Sequence, residues 1–291
     1  MELRRSMLFI PGNSPAMLQT GDVFGADAVI LDLEDAVAPN EKDAARFLVA
    51  QALLHVDYGT TETVVRINPL DTFGGRDIQA IVPCRPKALM VPKVQSAQDI
   101  NEVVKLVAAA EKAGQQQVKI IALLETPQGI YEAYAIAKAH PRVVALALGA
   151  EDYSAALGVK RTREGAEIFT ARSLIVNAAS AAGIQAIDTP FTDANDEEGL
   201  LQDTAAAKQF GFKGKLAINP RQVDSIHCAY NPGDADIEWA EQVIDALAKA
   251  EAEGSGVASL NGKMVDAPIV SRARQILFLA QLLGLRKEMA E

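Results

Sequence analysis

An α/β barrel of eight parallel strands, (β/α)8, followed by a C-terminal helical extension, is the fold this sequence predicts. Three observations predict it. Eight short apolar runs alternate with stretches of helical periodicity. Most of these runs are β-branched or near-continuously apolar, as parallel strands covered on both faces must be. Seven of the eight runs end in polar residues, which suits a barrel whose working groups sit at the C-terminal ends of its strands.

Taken in order, the strands are SMLFIPG (6–12), AVILDLED (28–35), ETVVRIN (62–68), ALMVPKV (88–94), VKIIALLET (118–126), VVALALGAED (143–152), QAIDTP (185–190) and KLAIN (215–219). The first helix between them, NEKDAARFLVAQALLH, opens on Asn40 as its cap with acidic residues in the first turn. In SAQDINEVVKLVAAAEKAG, Ser96 caps, Ile100, Val103, Val104 and Val107 share one face, and Gly114 ends the helix. EIFTARSLIVNAASAAG and DEEGLLQDTAAAKQFG follow the same pattern. Strand and helix alternating eight times is the TIM-barrel pattern. An open doubly wound sheet is the alternative, but no G-x-G-x-x-G follows the first strand.

After Asn219 the pattern changes. The barrel is assigned to 1–232 and a helical extension to 233–291, with a helix over 234–252. A loose Gly/Ser-rich stretch follows, and its residues 254–268 read as a lid. The last helix, SRARQILFLAQLLGL, puts Ile276, Leu277, Leu279, Ala280 and Leu283 on one broad apolar face that needs a partner, from its own barrel or a neighbouring subunit.

Composition sets outer bounds. The chain has 291 residues, 49% of them apolar, enough for one large core. With 28 basic and 38 acidic residues the net charge is −10, which argues against nucleic acid and anionic membranes as partners. Cys84 and Cys228 share no close spacing, so neither a disulfide framework nor a zinc site is expected, and a cytoplasmic setting fits. The N-terminal MELRRSMLFIPG reads as the first strand and not as a signal peptide. No apolar run approaches the roughly 20 residues of a membrane span.

The polar strand ends form a converging ring: Asp32, Glu34 and Asp35; Arg66 and Asn68; Lys93; Glu125; Glu151 and Asp152; Asp188; Asn219. Carboxylates outnumber bases there, and crowded carboxylates repel unless a cation sits among them. Oxygen ligands without a His or Cys cluster favour Mg²⁺ over zinc. Glu125 and Asp152, on neighbouring strands, are the natural pair. Position alone leaves open whether they hold a metal or form salt bridges to Arg66 or Lys93.

PGN (11–13), LDLEDAV (31–37), VRIN (65–68), LLETPQG (123–129), LGAEDYS (148–154), INPRQV (218–223) and NGKMVDAP (261–268) run in this order over nearly the whole chain. Together they resemble the citrate lyase β-subunit group within the HpcH/HpaI aldolases and malyl-thioester lyases. The resemblance implies a magnesium-dependent carbon–carbon lyase that splits a citryl thioester, carried on an acyl carrier protein, into an acetyl thioester and oxaloacetate. It implies Glu125 and Asp152 as metal ligands and Arg66 as the substrate-binding arginine. It also implies that Asp266 completes the site of a neighbouring subunit. Partners so implied are the acyl carrier protein and acyl transferase subunits of citrate lyase, with the chain as a homo-oligomer, a trimer or a multiple of one.

The chemistry makes these residues intelligible. A metal stabilises the alkoxide formed as the bond breaks. Arg66 meets the thioester enolate, and Asp266 protonates its carbon. Arg66, Asp266 and Glu34 are therefore the catalytic candidates, with Arg66, Glu125 and Asp35 facing substrate. Glu34 and Asp35 orient Arg66 or a metal-bound water, although Arg66 also reads as a buried ion pair for Glu34. In the PGNSP loop, backbone N–H groups at Gly12 and Asn13, with Arg4 or Arg5 nearby, suit the phosphate of a pantetheine-type carrier. Asp32 and Asp188 read as structural charges, Lys93 as a carboxylate binder or a salt bridge, and His55, His140 and His227 as structural or surface residues. The alternatives are a stand-alone lyase of malyl-CoA or citryl-CoA, a non-catalytic scaffold subunit, and an aldolase acting on free 2-oxo acids.

Overall fold

The apolar runs pair in parallel and close on themselves. In the computed structural model, which describes residues 2–252 and 258–285, the strands are β1 (Ser6–Pro11), β2 (Ala28–Asp32), β3 (Glu62–Arg66), β4 (Ala88–Val91), β5 (Lys119–Leu124), β6 (Val143–Leu148), β7 (Gln185–Asp188) and β8 (Gly214–Ala217). They form a closed barrel in chain order, with β8 pairing back to β1. Each strand is shorter than its sequence run, because pairing stops where the apolar residues give way to the polar rim. The helices of this unit are α1 (Pro15–Gln19), α2 (Lys42–His55), α3 (Gly75–Ile81), α4 (Ala97–Ala110), α5 (Pro127–Tyr131), α6 (Ala133–Lys138), α7 (Ala150–Leu157), α8 (Phe169–Ala182), α9 (Glu197–Phe210) and α10 (Gln222–Tyr230).

Strand alternation divides the core in two. Met7, Ala28, Ile30, Val64, Met90, Ile121, Leu123, Ala145, Ala147, Ile187 and Leu216 fill the barrel. Their neighbours along each strand, such as Leu8, Val29, Leu31, Val65, Leu89, Ile120 and Leu146, face outward. They pack there with helix residues such as Val49, Ile78, Ile100, Val103, Ile175 and Ile226. Each such Leu, Ile or Val contributes roughly 1.5–3 kcal/mol by leaving water.

Local details follow from particular side chains. Ser96 caps α4 in a capping box with Asp99. That helix stops at Ala110 and not at Gly114, because Glu111 turns extended and its carboxylate takes the Arg142 guanidinium and the Val118 N–H. Asn40 does not cap α2; it lies in a 3₁₀ turn, Pro39–Glu41, whose proline starts the rotation. Asp188 leaves the ring that the sequence suggested. Ile187 points inward, so Asp188 points outward, where Arg172 and Lys215 hold it between barrel and helices together with Asp203. Burial opposes the charge of Asp203, but the two cations win and hold its carboxyl below the usual range.

The N-terminal end of the barrel is closed by charge. Arg4 donates to both oxygens of Glu62, to Gln185 and to Glu2, and Lys119 also reaches Glu2. Arg5 pairs with Asp27 at 2.7 Å.

The contacts divide the chain into Met1–Tyr230 and Asn231–Glu291. The second unit holds α11 (Asp234–Ala252), a hairpin of β9 (Ala258–Leu260) and β10 (Lys263–Val265), and α12 (Ala267–Leu282). Of the segment read as a lid, residues 254–257 lie outside the described residues. Residues 258–265 are not loose but paired, through a turn in which Asn261 and Gly262 both take positive φ, 50° and 74°.

Candidate active site

At the C-terminal mouth the inward alternation continues into charge. The residue after Ile30 on the inner face is Asp32, the one after Val64 is Arg66, and the one after Leu123 is Glu125. Strand register sets Asp32 directly beside Arg66. The pair is bidentate, with Nε and Nη2 each 2.7 Å from an Asp32 oxygen. Asp32 also accepts the N–H groups of Glu34 and Ala36, which winds the loop after β2 tightly around it. Nη1 of Arg66 donates to Asp35 at 3.1 Å and lies 2.9 Å from Glu34 Oε2, an ion pair off the N–H direction that leaves this oxygen without a hydrogen bond. The guanidinium rests 4.7 Å above the Phe9 ring. Burial works against the Arg66 charge, but Asp32, then Glu34 and Asp35, outweigh it and raise the pKa above its ordinary range.

Sequence reasoning passed over Lys42. The first residue of α2 reaches back, buried, to donate to the carbonyls of Leu33 (2.8 Å) and Glu34 (2.6 Å). It clasps the loop that carries Glu34 and Asp35 and sets a positive charge beneath them. Burial lowers its pKa, opposed by Asp32 and Glu34.

Glu125 follows the last residue of β5 and is 4% exposed. Thr126 caps α5 on Gly129, and Pro127 starts that helix, so the carboxylate sits on a rigid strand-to-helix junction. Oε1 accepts the Lys93 N–H at 2.7 Å. Oε2 lies against Gly149, where a Cβ would come within 2.8 Å of it. That is the reason for glycine in LGAEDYS, and a signal the sequence carried. Burial, then Glu34 and Asp152, push the Glu125 carboxyl up to about 8. Burial, with Asp35 and Asp32, pushes Glu34 up to about 7 against the pull of Arg66.

Asp152 stands in the first turn of α7 and not on β6 as the sequence run had it, because Gly149 ends the strand as the helix N-cap. It is half-exposed, with Lys93 Nζ 3.8 Å away. Asp32, Asp35, Arg66, Glu125, Glu151 and Asp152 line one cavity of about 460 Å³ together with the apolar Phe9, Pro11, Met17, Pro190, Leu216 and Ile218. Glu34 does not line it; it acts on the cavity through Arg66. Thr189, whose hydroxyl accepts the Ala150 N–H, lines it in place of Asp188.

Several expected residues lie elsewhere. Asn68 faces Asp77 and the Leu33 carbonyl. Asn219 caps its own turn through the Arg221 N–H. Gly12 gives its N–H to the Asp32 carbonyl, against which a Cβ would sit at 2.5 Å, so it is packed on β2 and not open to a phosphate. Asn13 donates to Glu41. Arg5 precedes β1 and Gly12 follows it, so about 20 Å of strand separates them; Arg4 and Arg5 cannot join the PGNSP loop in one anion site. Asp266 belongs to the second unit, where it caps α12 through the Ile269 N–H at 3.2 Å.

The mouth fits a divalent cation. Apart from Glu151, which has its own partner in Arg161, five carboxylates, Asp32, Glu34, Asp35, Glu125 and Asp152, face three cations, Arg66, Lys93 and, beneath the loop, Lys42. Among the described residues no three His, Cys, Asp or Glu side chains are grouped to hold a metal. Glu125 and Asp152 offer the one or two carboxylates that Mg²⁺ takes while keeping positions for water and substrate.

Comparison with known proteins places this geometry. The HpcH/HpaI aldolase/citrate lyase family matches residues 5–220. The citrate lyase subunit beta of Haemophilus influenzae is 47% identical over 292 aligned positions, covering 99% of this chain and 100% of that one. The chain belongs to the HpcH/HpaI aldolase/citrate lyase family. A (3S)-malyl-CoA thioesterase of Cereibacter sphaeroides from the same set of relatives is 36% identical over 96% of this chain and 95% of its own. Among solved members of comparable fold, the CitE protein of Mycobacterium tuberculosis in complex with magnesium, acetoacetate and coenzyme A matches with a TM-score of 0.79 and 34% identity, covering 96% of this chain and 98% of that one. The citrate lyase beta subunit of M. tuberculosis with oxaloacetate and magnesium matches with a TM-score of 0.68 and 35% identity, over 80% of this chain and all of that one.

Proposed function

We propose that the chain is the Mg²⁺-dependent lyase subunit of a citrate lyase, cleaving a citryl thioester on an acyl carrier protein to an acetyl thioester and oxaloacetate. The observation that carries this reading is the 47% identity to a citrate lyase subunit beta along both chains' full lengths. The reaction breaks the bond between the hydroxyl-bearing carbon and the methylene beside the thioester carbonyl. The hydroxyl loses its proton, the electron pair passes to a thioester enolate, and the enolate carbon gains a proton. No electron acceptor is needed.

Mg²⁺, when bound, stabilises the oxyanion that develops on the substrate hydroxyl. Glu125 and Asp152 would hold it; the carboxylate excess and the raised pKa of Glu125 support that assignment. Arg66 keeps its planar fork fixed by Asp32 and Phe9, and its remaining N–H groups receive the enolate oxygen. Asp32, Glu34 and Asp35 orient that fork, and Lys42 holds their loop. The apolar wall from Met17 to Ile218 excludes water from the carbanion-like carbon. In this reading Asp266, of the same or a neighbouring subunit, protonates that carbon, and the acyl carrier and acyl transferase subunits are the partners of a chain that assembles as a trimer or a multiple of one. No helix among the described residues is long and apolar enough to cross a membrane, and the cytoplasm is the proposed location.

Assays with citryl on its carrier, citryl-CoA and malyl-CoA, each with Mg²⁺ or EDTA, test the reading. Oxaloacetate formed from carrier-bound citryl and abolished by EDTA is the expected result. A preference for CoA thioesters, with no gain from the carrier, would support the stand-alone lyase. Activity undiminished by EDTA would remove the metal.

A further inference from the structure

The second unit contains a cavity of about 540 Å³ between the β9–β10 hairpin and the two helices. Trp239 and Val243 of α11, Lys263 of β10 and Arg272 of α12 face it. Among the described residues its lining includes two cations and no carboxylate, in a chain of net charge −10. Among the described residues neither Lys263 nor Arg272 has a carboxylate within ion-pair distance. The Arg272 guanidinium lies 4.8 Å above the Trp239 indole, which fixes the plane of its donor fork without neutralising it. Asn261, held by the positive-φ turn, adds an amide to the same rim.

Two exposed cations lining one concavity, with no carboxylate partner among the described residues, leave it a local excess of positive charge that an anion would meet. A rigid guanidinium fork beside a mobile ammonium matches a tetrahedral oxyanion with several acceptors. We propose that this cavity is a binding site for a phosphate monoester, with Arg272 and Lys263 as its ligands and the indole as its floor. The inference stands on the second unit alone and does not depend on the lyase reading. The phosphate can come from a nucleotide or from a phosphopantetheine arm, and the two are separable by experiment.

Trp239 is the only tryptophan in the chain, so its fluorescence reports on this cavity alone. The full-length protein is titrated at constant ionic strength with inorganic phosphate, AMP and 4′-phosphopantetheine, with chloride as control and calorimetry in parallel. The expected result is a saturable response to phosphate compounds and none to chloride. Tighter binding of AMP or of phosphopantetheine names the source. Lys263→Ala and Arg272→Ala should each weaken binding by roughly 10-fold, the loss of one charge-assisted hydrogen bond. Arg274→Ala, on the same helix but outside this cavity, should leave it unchanged. Lys263 and Arg272 are both exposed, so these variants test binding rather than folding. No saturable binding by either method, or equal affinity in Lys263→Ala and wild type, would overturn the site.

Discussion

The two ends of the barrel carry the same residue types in opposite balance. At the N-terminal end three cations, Arg4, Arg5 and Lys119, meet three carboxylates, Glu2, Glu62 and Asp27. Burial opposes the charge of Glu2, yet Lys119 and Arg4 hold its carboxyl below the ordinary range. At the C-terminal mouth five carboxylates meet three cations, Arg66, Lys93 and Lys42, and Glu125 and Glu34 are pushed up to about 8 and about 7. The first end is closed and neutral, and a protein gains only stability from it. The second is left short of positive charge, which is strain unless something cationic arrives. Burial first, compounded by the excess of carboxylates, separates the working end of this barrel from the stabilising end, where each buried carboxylate has its own cation.

The largest expected effect breaks that contrast from the mouth. Glu125→Gln should lower citryl-thioester cleavage on the order of 10³-fold, equivalent to several kcal/mol of transition-state stabilisation. The metal-free variant should melt no lower than wild type, because the cost of burying an ionisable carboxyl at that position is gone. Asp152→Asn should lower cleavage likewise, with little effect on the melt, because Asp152 is half-exposed and pairs with Lys93 at 3.8 Å. Calorimetry and steady-state kinetics on the same preparations check both. At the other end Arg4→Met should do the reverse. It strands Glu62 in the interior and costs about 3–5 kcal/mol of stability. Turnover per folded molecule should be kept, and denaturant midpoints beside active-site titration decide this.

A smaller effect sharpens the role of the clasp. Lys42→Met should release the loop that holds Glu34 and Asp35 and lower kcat by about 10–100-fold, as loss of an outer-shell partner does. KM should rise less, and the pH profile should shift because a buried positive charge is lost from beneath the carboxylates. A simple loss of folded protein with unchanged kcat and pH profile would reduce Lys42 to a structural residue.

The smallest effect is on pH-dependent stability. Glu125 has an ordinary value of 4.5 and a folded value of about 8, so between these the metal-free folded state binds more protons than the unfolded one. Stability therefore falls as pH rises through that window, and Glu34 adds to the fall up to about 7. Thermal melts of metal-free protein from pH 5 to 8.5 should show this decline, and saturating Mg²⁺ should flatten it. A melt that rises with pH would contradict the raised carboxyls.

The strand count and order were legible because each strand is an uninterrupted apolar run, and both faces of a parallel barrel demand that. What failed depended on facts a linear pattern does not hold. Asp188 was misplaced by one residue of alternation: Ile187 takes the inner face, and its neighbour must take the outer. Arg5 and Gly12 are seven residues apart, yet a strand between them puts them at opposite ends of the barrel. The end of α4 was set by Arg142, far along the chain, drawing Glu111 out of the helix. The hairpin after residue 257 was legible in principle, since Asn261-Gly262 is a strong hairpin turn, but its glycine-rich surroundings read as a lid. Glu125, Asp152 and Arg66 came from motifs and position together. Lys42 gave no signal, because a lysine at a helix start looks like any solvated charge until its carbonyl partners are seen.

Titration of Mg²⁺ into the metal-free protein by calorimetry at pH 6 and pH 8, in buffers of different ionisation enthalpy, tests the central claim directly. The mouth described above predicts binding that tightens from pH 6 to pH 8 and releases protons at pH 6, because Glu125 must lose its proton to accept the ion. It predicts that both features vanish in Glu125→Gln. Binding of equal strength at both pH values without proton release, or unchanged in the variant, would show that the carboxylate excess at the mouth is not a metal site.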